Sequence, residues 1–558
     1  MTDMEPHPYL TQLWGQPNDQ APTHPRGILQ TKDYERFMIL SDTGNLLLEF
    51  TGAKRANRCL PGDHVAWVGG RCELELRDHH PLLVGTLELT SKSTYGMTKR
   101  GNLMYMCIPY DKRYPPFIVG SSEKDRTQNK IVLIALESWD ASTFPRGSIQ
   151  QTLGVSGDAA EREALIWQAC PWRYPVFAYE PALRAPVPRT TLIGTTFHID
   201  PEGCRDVDDV FTFEALEKGW RVTITISDVA AYVEDGGAVD IMASLIGQTL
   251  YDDTGRVLRP MLPSAYSEQT CSLLPGKECH GISFQFVWDG EIREKKWFLS
   301  VLQVDRSYTY EEFQATDTPY PLKDIASYLA KEEVRDSHDW VAQMMILYNT
   351  EAGALLQGAG QGILRRHSAP HRERLERYTH HVPELAKLAY SSAEYCLAEE
   401  TDTVHYGLNT ATYAHASSPI RRYADLVNQR VLTQLIQGGQ EGYIVPQAMY
   451  DMNLRGKAVK RFQRDMDFLE AILSGQTEFR AILMDTIPRS DGWVKLKLYV
   501  PLWKRMISTT YRAASDTTVW ARDETTEIDC TLYRECTIRC AFSAQARNWK
   551  ERVVIHVT

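Results

Sequence analysis

The sequence predicts a multidomain α+β chain: two small N-terminal β barrels, a central α/β module and a third β barrel at the C-terminus. Three observations carry that reading. Short apolar runs of period two, separated by turn residues, fill the N-terminal part of the chain and return near its end. The stretch between them mixes strand patterns with long helical ones. A chain of 558 residues has room for roughly three to five domains of ordinary size.

Taken in order, residues 1–26 are polar and Pro-rich and read as a disordered tail, with a docking segment as the alternative. They lack the apolar core of a secretion signal and the Arg-rich character of a transit peptide. Residues 27–95 form the first barrel, with strand-like runs at Arg36–Leu40, Leu46–Phe50 and His64–Val68. The turn signals Asp42-Thr43-Gly44 and Pro61-Gly62-Asp63 separate these runs. Residues 96–180 form the second, with runs at Tyr105–Pro109, Phe117–Val119 and Ile131–Leu136. Two such barrels in tandem suggest OB or cold-shock modules that hold single strands. Periodicity alone allows two generic β domains as readily.

Pro181–Pro188 reads as a linker, and residues 181–475 as the α/β module. That module has a strand at Val222–Ile226 and helices over Asp336–Leu356 and Asp425–Ile436. Residues 476–558 return to strands and read as an OB-type barrel. In Trp493–Val500 the apolar Val494, Leu496, Leu498 and Val500 alternate with Trp493, Lys495, Lys497 and Tyr499. An aromatic-and-lysine face can stack bases and neutralise phosphates; it can equally be an ordinary solvated barrel face.

Composition excludes several classes. With 43% hydrophobic and 24% charged residues, the chain can bury large cores and is not a disordered polymer. No apolar run is long enough to span a bilayer, so no membrane partner is expected. The 11 cysteines form no CxxC pair, and the cluster Cys530, Cys536 and Cys540 matches no common zinc spacing, so reduced thiols in an intracellular, cytoplasmic protein are expected. The net charge of −11 argues only weakly against a nucleic-acid partner, because local charge alone meets the phosphates.

The most informative stretch is Ile199-Asp200-Pro201-Glu202-Gly203-Cys204-Arg205-Asp206-Val207-Asp208-Asp209, with aspartates spaced D-x5-D-x-D-D. Asp200 ends an apolar run, and Pro201 and Gly203 turn the chain back, bringing Asp200 towards Asp206, Asp208 and Asp209. Carboxylates this close repel unless they are solvated or share a divalent cation. Hard oxygen donors select Mg2+ or Mn2+, and such an ion suits phosphodiester hydrolysis. A solvated acidic loop is the plainer alternative.

The second signal is Tyr413-Ala414-His415-Ala416-Ser417-Ser418-Pro419-Ile420-Arg421-Arg422-Tyr423-Ala424-Asp425. Ser418-Pro419 can open a helix, placing Arg421 and Arg422 near its N-terminus, where a phosphate can be gripped. Adjacent arginines on a solvated face are the alternative. Lys457, Lys460, Arg461 and Arg464 share one helical face, and Arg365, Arg366 and His367 form a further group. Either set suits a channel that follows a nucleic-acid backbone or an ordinary surface.

The two constellations, in this order, resemble the RNase II/RNase R family, whose catalytic module is called RNB. The blocks Arg259-Pro260-Met261-Leu262-Pro263 and Cys271-Ser272-Leu273-Leu274-Pro275-Gly276 fit the same family. Ile108–Arg113, Phe144-Pro145-Arg146-Gly147 and Leu364-Arg365-Arg366-His367 are similar to its eukaryotic branch, which includes the catalytic exosome subunit. Residues 1–26 leave no room for the endonuclease domain of that subunit, so a free-standing monomer lacking that domain and without stable exosome attachment is expected.

The resemblance implies a metal-dependent hydrolytic exoribonuclease that degrades single-stranded RNA processively from its 3′ end to nucleoside 5′-monophosphates. Asp200, Asp206, Asp208 and Asp209 would hold Mg2+ (or Mn2+), Asp208 being the most sensitive, and Arg421 would clamp a phosphate. Tyr251 would pack near the terminal nucleotide, or else be a core tyrosine. Arg422, Tyr423, His415, Arg464, Trp493, Lys495 and Lys497 complete the expected RNA-binding set. Gln343 and Gln463 stand where the family usually carries acidic residues, which is expected to alter product release or end length. The alternative is a catalytically inactive RNA-binding regulatory protein on the same fold; the presence of all four aspartates favours activity.

Overall fold

The computed structural model describes residues 24–41, 44–77, 80–155, 158–175, 178–184, 187–439, 449–521, 523, 525–542 and 553–557. Of the tail, only its last residues fall within this set. Asp42 and Thr43 of the first expected turn, and Ala185 and Pro186 of the expected linker, lie outside it.

The first module is a five-stranded antiparallel sheet in the order Leu46–Thr51, Arg36–Leu40, Arg26–Thr31, His64–Val68, Arg71–Leu76. Alternation builds it: Phe37 and Ile39 turn into a core with Leu29, Phe50 and Val65. The second module is a closed five-stranded barrel. Its first strand, Leu83–Leu87, pairs with Met104–Pro109 and Lys130–Ser138, which moves the boundary expected at 95/96 to before Leu83. All five of its residues are buried, so the run has no polar face from which its partner could be read.

A helix, Asp158–Ala169, follows the last barrel strand, Arg146–Val155, in a stretch expected to be short strands. It docks the barrel on the central module. Leu165 and Ile166 enter a core shared with Phe462 and Leu469 of the long helix Met449–Leu473. Arg162 Nη1 also meets Glu470 Oε1 at 2.6 Å.

The central module is built on a seven-stranded sheet in the order Thr190–Thr191, Ile292–Gln303, Glu278–Trp288, Trp220–Ser227, Asp209–Ala215, Thr195–Asp200, Arg306–Thr309. The expected strand Val222–Ile226 is the middle of Trp220–Ser227. One face carries Phe197, Phe211, Phe213, Ile224, Phe284 and Phe286 against Trp340, Met344 and Tyr348 of helix Ser337–Ala359. Asp336 caps that helix, and Gly360 ends it with φ +63°. The helix expected from Asp425 begins two residues earlier and spans Tyr423–Ile436.

Gly219 lies at the turn between Asp209–Ala215 and Trp220–Ser227 with φ +77°, and a Cβ there would fall 2.1 Å from the Trp288 carbonyl oxygen. Gly219→Ala is therefore expected to destabilise the module by about 1–3 kcal/mol, read as a lower urea midpoint. An unchanged midpoint would show that the turn relaxes freely.

The C-terminal module is a five-stranded antiparallel sheet in the order Arg505–Arg512, Trp493–Val500, Glu478–Pro488, Glu535–Phe542, Val553–Val557. Leu496, Leu498 and Val500 are buried, whereas Trp493 and Lys495 are exposed. Among the described residues no helix is long and apolar enough to cross a membrane.

Candidate active site

The acidic turn joins two paired strands of the central sheet. Thr195–Asp200 ends on Asp200, Asp209–Ala215 begins on Asp209, and they pair antiparallel from Thr195↔Phe213 to Phe197↔Phe211. Gly203 takes φ +76° in the turn, a conformation that suits glycine.

The Cys271–Gly276 block pins the far side of the turn. Ser272 Oγ accepts from the Val207 amide at 2.9 Å, and the Leu273 amide donates to the Val207 carbonyl at 3.0 Å. The Ser227 amide donates to the Asp208 carbonyl at 2.8 Å. With its backbone held on both sides, Asp208 is 4% exposed.

The arginine motif closes on this carboxylate. The Ile420 amide donates to Asp208 Oδ1 at 3.0 Å, and Arg421 Nε donates to Oδ2 at 3.1 Å. Ser418-Pro419-Ile420-Arg421 forms a turn ahead of the helix, whose N-cap is Arg422. Arg422 is thus the N-cap and Arg421 the residue before it, near the helix N-terminus as expected, although the helix opens at Tyr423 and not at Ser418-Pro419. Asp425, fully buried, fixes that turn by accepting from the Ser418 amide and from Arg422 Nη2, both at 2.7 Å.

Tyr251 is half-buried beside the acidic turn. It sits in the short ladder Leu250–Tyr251 with Val257–Arg259, next to the Pro-Met-Leu-Pro block. Its hydroxyl donates to Asp206 Oδ2 at 2.6 Å. The ladder is tied to the arginine motif, because the Thr249 amide donates to the Arg421 carbonyl and the Tyr423 amide to the Gly247 carbonyl.

Two carboxyls are driven strongly upward. Burial raises Asp208 to about 7, with Arg421 and the Ile420 amide opposing. Burial, then Asp200 and Asp208, raise Asp209 well above the carboxylate range. Burial also works against the charge of Arg421, but Asp208, Tyr251, Asp209 and Asp206 outweigh it and hold the guanidinium protonated. Shifts of this size from burial and like charge are common where chemistry is done. Among the described residues no three His, Cys, Asp or Glu side chains are grouped closely enough to hold a metal ion between them. In this arrangement Asp208 faces Arg421, and Asp206 faces Tyr251.

The other expected residues divide. Tyr423 is 4% exposed within the core that also holds Leu426 and Val427, so in this structure it packs inward and offers no open face. His415 lies 2.8 Å from the Tyr395 hydroxyl. Burial, then Arg422 and Arg365, depress its pKa well below the usual histidine value, leaving a neutral ring among cations. Arg422 is committed to Asp425. Lys457, Lys460, Arg461 and Arg464 are exposed along helix Met449–Leu473, and Arg464 lies within electrostatic reach of Tyr499 on the C-terminal barrel. On that barrel Trp493 and Lys495 are exposed, while Lys497 is paired with Asp485 at 2.8 Å. Gln343 is half-buried on Ser337–Ala359, and Gln463 is exposed on Met449–Leu473.

Sequence reasoning missed His198. Its Nδ1 lies 2.9 Å from Asp200 Oδ2 and its Nε2 lies 2.7 Å from Ser307 Oγ, so it orients Asp200. The signal was present, since residues two apart on a strand share a face.

With this geometry in hand, the chain matches the RNB domain family model over residues 190–319 and 316–438. It matches the Dis3-like cold-shock domain 2 model over 104–170. It is 25% identical over 460 residues to the probable exosome complex exonuclease RRP44 of Caenorhabditis elegans, covering 63% of this chain and 48% of that one. To exoribonuclease 2 of Aeromonas hydrophila it is 25% identical over 335 residues, covering 46% and 50%. The chain spans about half the length of the curated relatives it matches. Its fold is similar to Mycoplasma genitalium RNase R in complex with ribose-methylated single-stranded RNA, with TM-score 0.68, 15% identity and coverage of 96% and 100%. It is also similar to yeast Ssd1, a pseudonuclease, with TM-score 0.62, 16% identity and coverage of 93% and 81%.

Proposed function

The chain belongs to the RNB-domain family, and on that premise we propose that it hydrolyses single-stranded RNA from the 3′ end, releasing nucleoside 5′-monophosphates one at a time. One observation carries the reading. The acidic turn and the arginine motif, 213 residues apart in sequence, meet at the Asp208 carboxylate.

Arg421 is anchored there through Nε, while its side chain remains 48% exposed, so it can bind a phosphate oxygen and balance charge that develops on it. Tyr251 and Asp206 stand beside it as a hydroxyl–carboxylate pair that can orient the strand end. Asp200, Asp206, Asp208 and Asp209 are hard oxygen donors of the kind that Mg2+ or Mn2+ takes, and such an ion would offset the like-charge repulsion that helps to raise Asp209. Such an ion would supply an activated water and neutralise charge at the scissile phosphate.

A pH dependence follows. The folded Asp208 carboxyl is raised to about 7, above its unfolded value. Its contribution to stability is therefore fully present at low pH and is lost as pH rises through about 7. Hydrolysis needs the ionised form and is expected to rise through the same window. A divalent ion competes with the proton, so more Mg2+ should move the midpoint of the rate profile to lower pH. A profile that is flat across neutral pH, at any Mg2+ level, would remove Asp208 from the chemistry.

A second reading is RNA binding without cleavage. The observation favouring it is that Asp208 and Asp206 are already engaged by Arg421 and Tyr251 instead of converging on one centre. Incubation with 5′-labelled single-stranded RNA and Mg2+, beside an all-DNA control, separates the two. Mononucleotides and a short 5′ end from RNA alone support hydrolysis. RNA that is bound but left whole at every Mg2+ level supports the binding protein. Dependence on added inorganic phosphate would instead indicate phosphorolysis.

A further inference from the structure

Tyr310, near the carboxylates, and His338, stacked on it, have no part in the hydrolytic scheme. Tyr310 opens the short helix Tyr310–Ala315 at the end of edge strand Arg306–Thr309. That strand pairs with Thr195–Asp200 in a register that sets Thr309 against Asp200, which carries Tyr310 to the acidic turn. Thr309 fixes the start of the helix through reciprocal bonds with Glu312. Burial, then Asp209 and Asp200, push the Tyr310 phenol above its ordinary range, so the ring lies within electrostatic reach of both.

The second ring is His338, in the first turn of Ser337–Ala359. Asp336 Oδ1 accepts from the His338 amide at 2.8 Å and lies 2.9 Å from ring Nδ1. Ser337 Oγ donates to the Tyr310 carbonyl at 2.9 Å, joining the two helix starts. The imidazole and phenol lie nearly parallel, with centroids 3.9 Å apart and planes at 10°. Tyr310 covers one face of the imidazole, yet the His338 side chain is 59% exposed. A ring held at backbone and side chain has given up rotamer freedom while burying little area. What it retains is a flat, open aromatic face at the end of a stack that starts at the carboxylates.

Resting on the reading of the site as one for single-stranded RNA, we propose that the Tyr310–His338 stack is a nucleobase platform: a base of the bound strand lies on the open face of His338. Stacking of this kind tolerates any base, because every base has a π-face. It therefore suits a strand that advances one nucleotide at a time.

The test uses full-length Asp208→Asn protein, so that the strand is not consumed, and RNAs carrying 2-aminopurine at successive positions from the 3′ end. Emission of this base falls when it stacks. It is expected to fall at one position on binding, to recover in His338→Ala and His338→Leu, and to remain quenched in His338→Phe, which keeps a ring. The two ringless variants should bind roughly tenfold more weakly.

If His338→Leu reproduces the parent's position-by-position emission and affinity, the platform is overturned, and leucine guards against a loss of volume being misread as a loss of stacking. Protein that binds no RNA overturns the platform together with the RNA reading. A quench in a protein whose unsubstituted form cleaves nothing keeps the platform and removes only the hydrolase.

Discussion

Asp208→Asn is expected to slow RNA hydrolysis by on the order of 10²–10³-fold or more, the range seen when one preorganised electrostatic group is removed, while fold and RNA binding persist. The substitution keeps shape. The amide oxygen can still accept from the Ile420 amide, which now donates to Oδ1 at 3.0 Å, so the turn retains that bond. What disappears is the negative charge facing Arg421 Nε. A buried carboxyl raised to about 7 by desolvation gains little for the fold from being ionised, so a neutral amide should leave thermal stability unchanged or slightly improved. Single-turnover cleavage of 5′-labelled RNA, with binding measured in parallel, reads both parts. Hydrolysis within a few-fold of the parent would mean that the acidic turn is not where the bond breaks.

How much of this was legible in the sequence depends on separation along the chain. The turn from Asp200 to Asp209 could be read locally, because Pro201 and Gly203 announce it and the strands beside it are apolar. Its meeting with Arg421 could not be read from spacing, since it depends on sheet order; only the resemblance pointed there. Tyr251 stood between two readings in the sequence, and its hydroxyl bond to Asp206 depends on a ladder that spacing does not reveal. The burial of Tyr423 was not legible, because only the helix register shows that it turns into the core. Leu83–Leu87 went unassigned because a strand buried on both faces has no alternation to find. The Tyr310–His338 stack was invisible for a related reason: it needs the pairing of Asp200 with Thr309 and a helix cap at Asp336. The architecture of three small β modules around one mixed module was legible throughout, because turn residues and period-two runs are local features, whereas closure into a barrel, seen in the second module, is not.

Asp425 should matter as much for the integrity of the site as Asp208 does for its chemistry. It lies in the first turn of Tyr423–Ile436, fully buried, where a carboxylate also meets the positive end of the helix dipole. Its Oδ1 takes both the Ser418 amide and Arg422 Nη2 at 2.7 Å. The turn fixed in this way carries the Ile420 amide and Arg421 to Asp208. Asp425→Ala would leave a buried amide unpaired and Arg422, whose side chain is 22% exposed, without its counter-charge. Removing one partner of a buried pair costs about 3–5 kcal/mol, and the partial exposure of Arg422 favours the lower end. A local loss of about 3 kcal/mol corresponds to roughly a hundredfold rise in the opening equilibrium. Amide hydrogen exchange across residues 418–426 should therefore quicken by about that factor, with cleavage falling in step because Arg421 is no longer held. Asp425→Asn, which can still accept from Ser418, should lie between the two. Exchange in this segment that matches the parent in Asp425→Ala would show that the helix and Pro419 hold the arginine turn unaided, and that the buried carboxylate serves something other than its geometry.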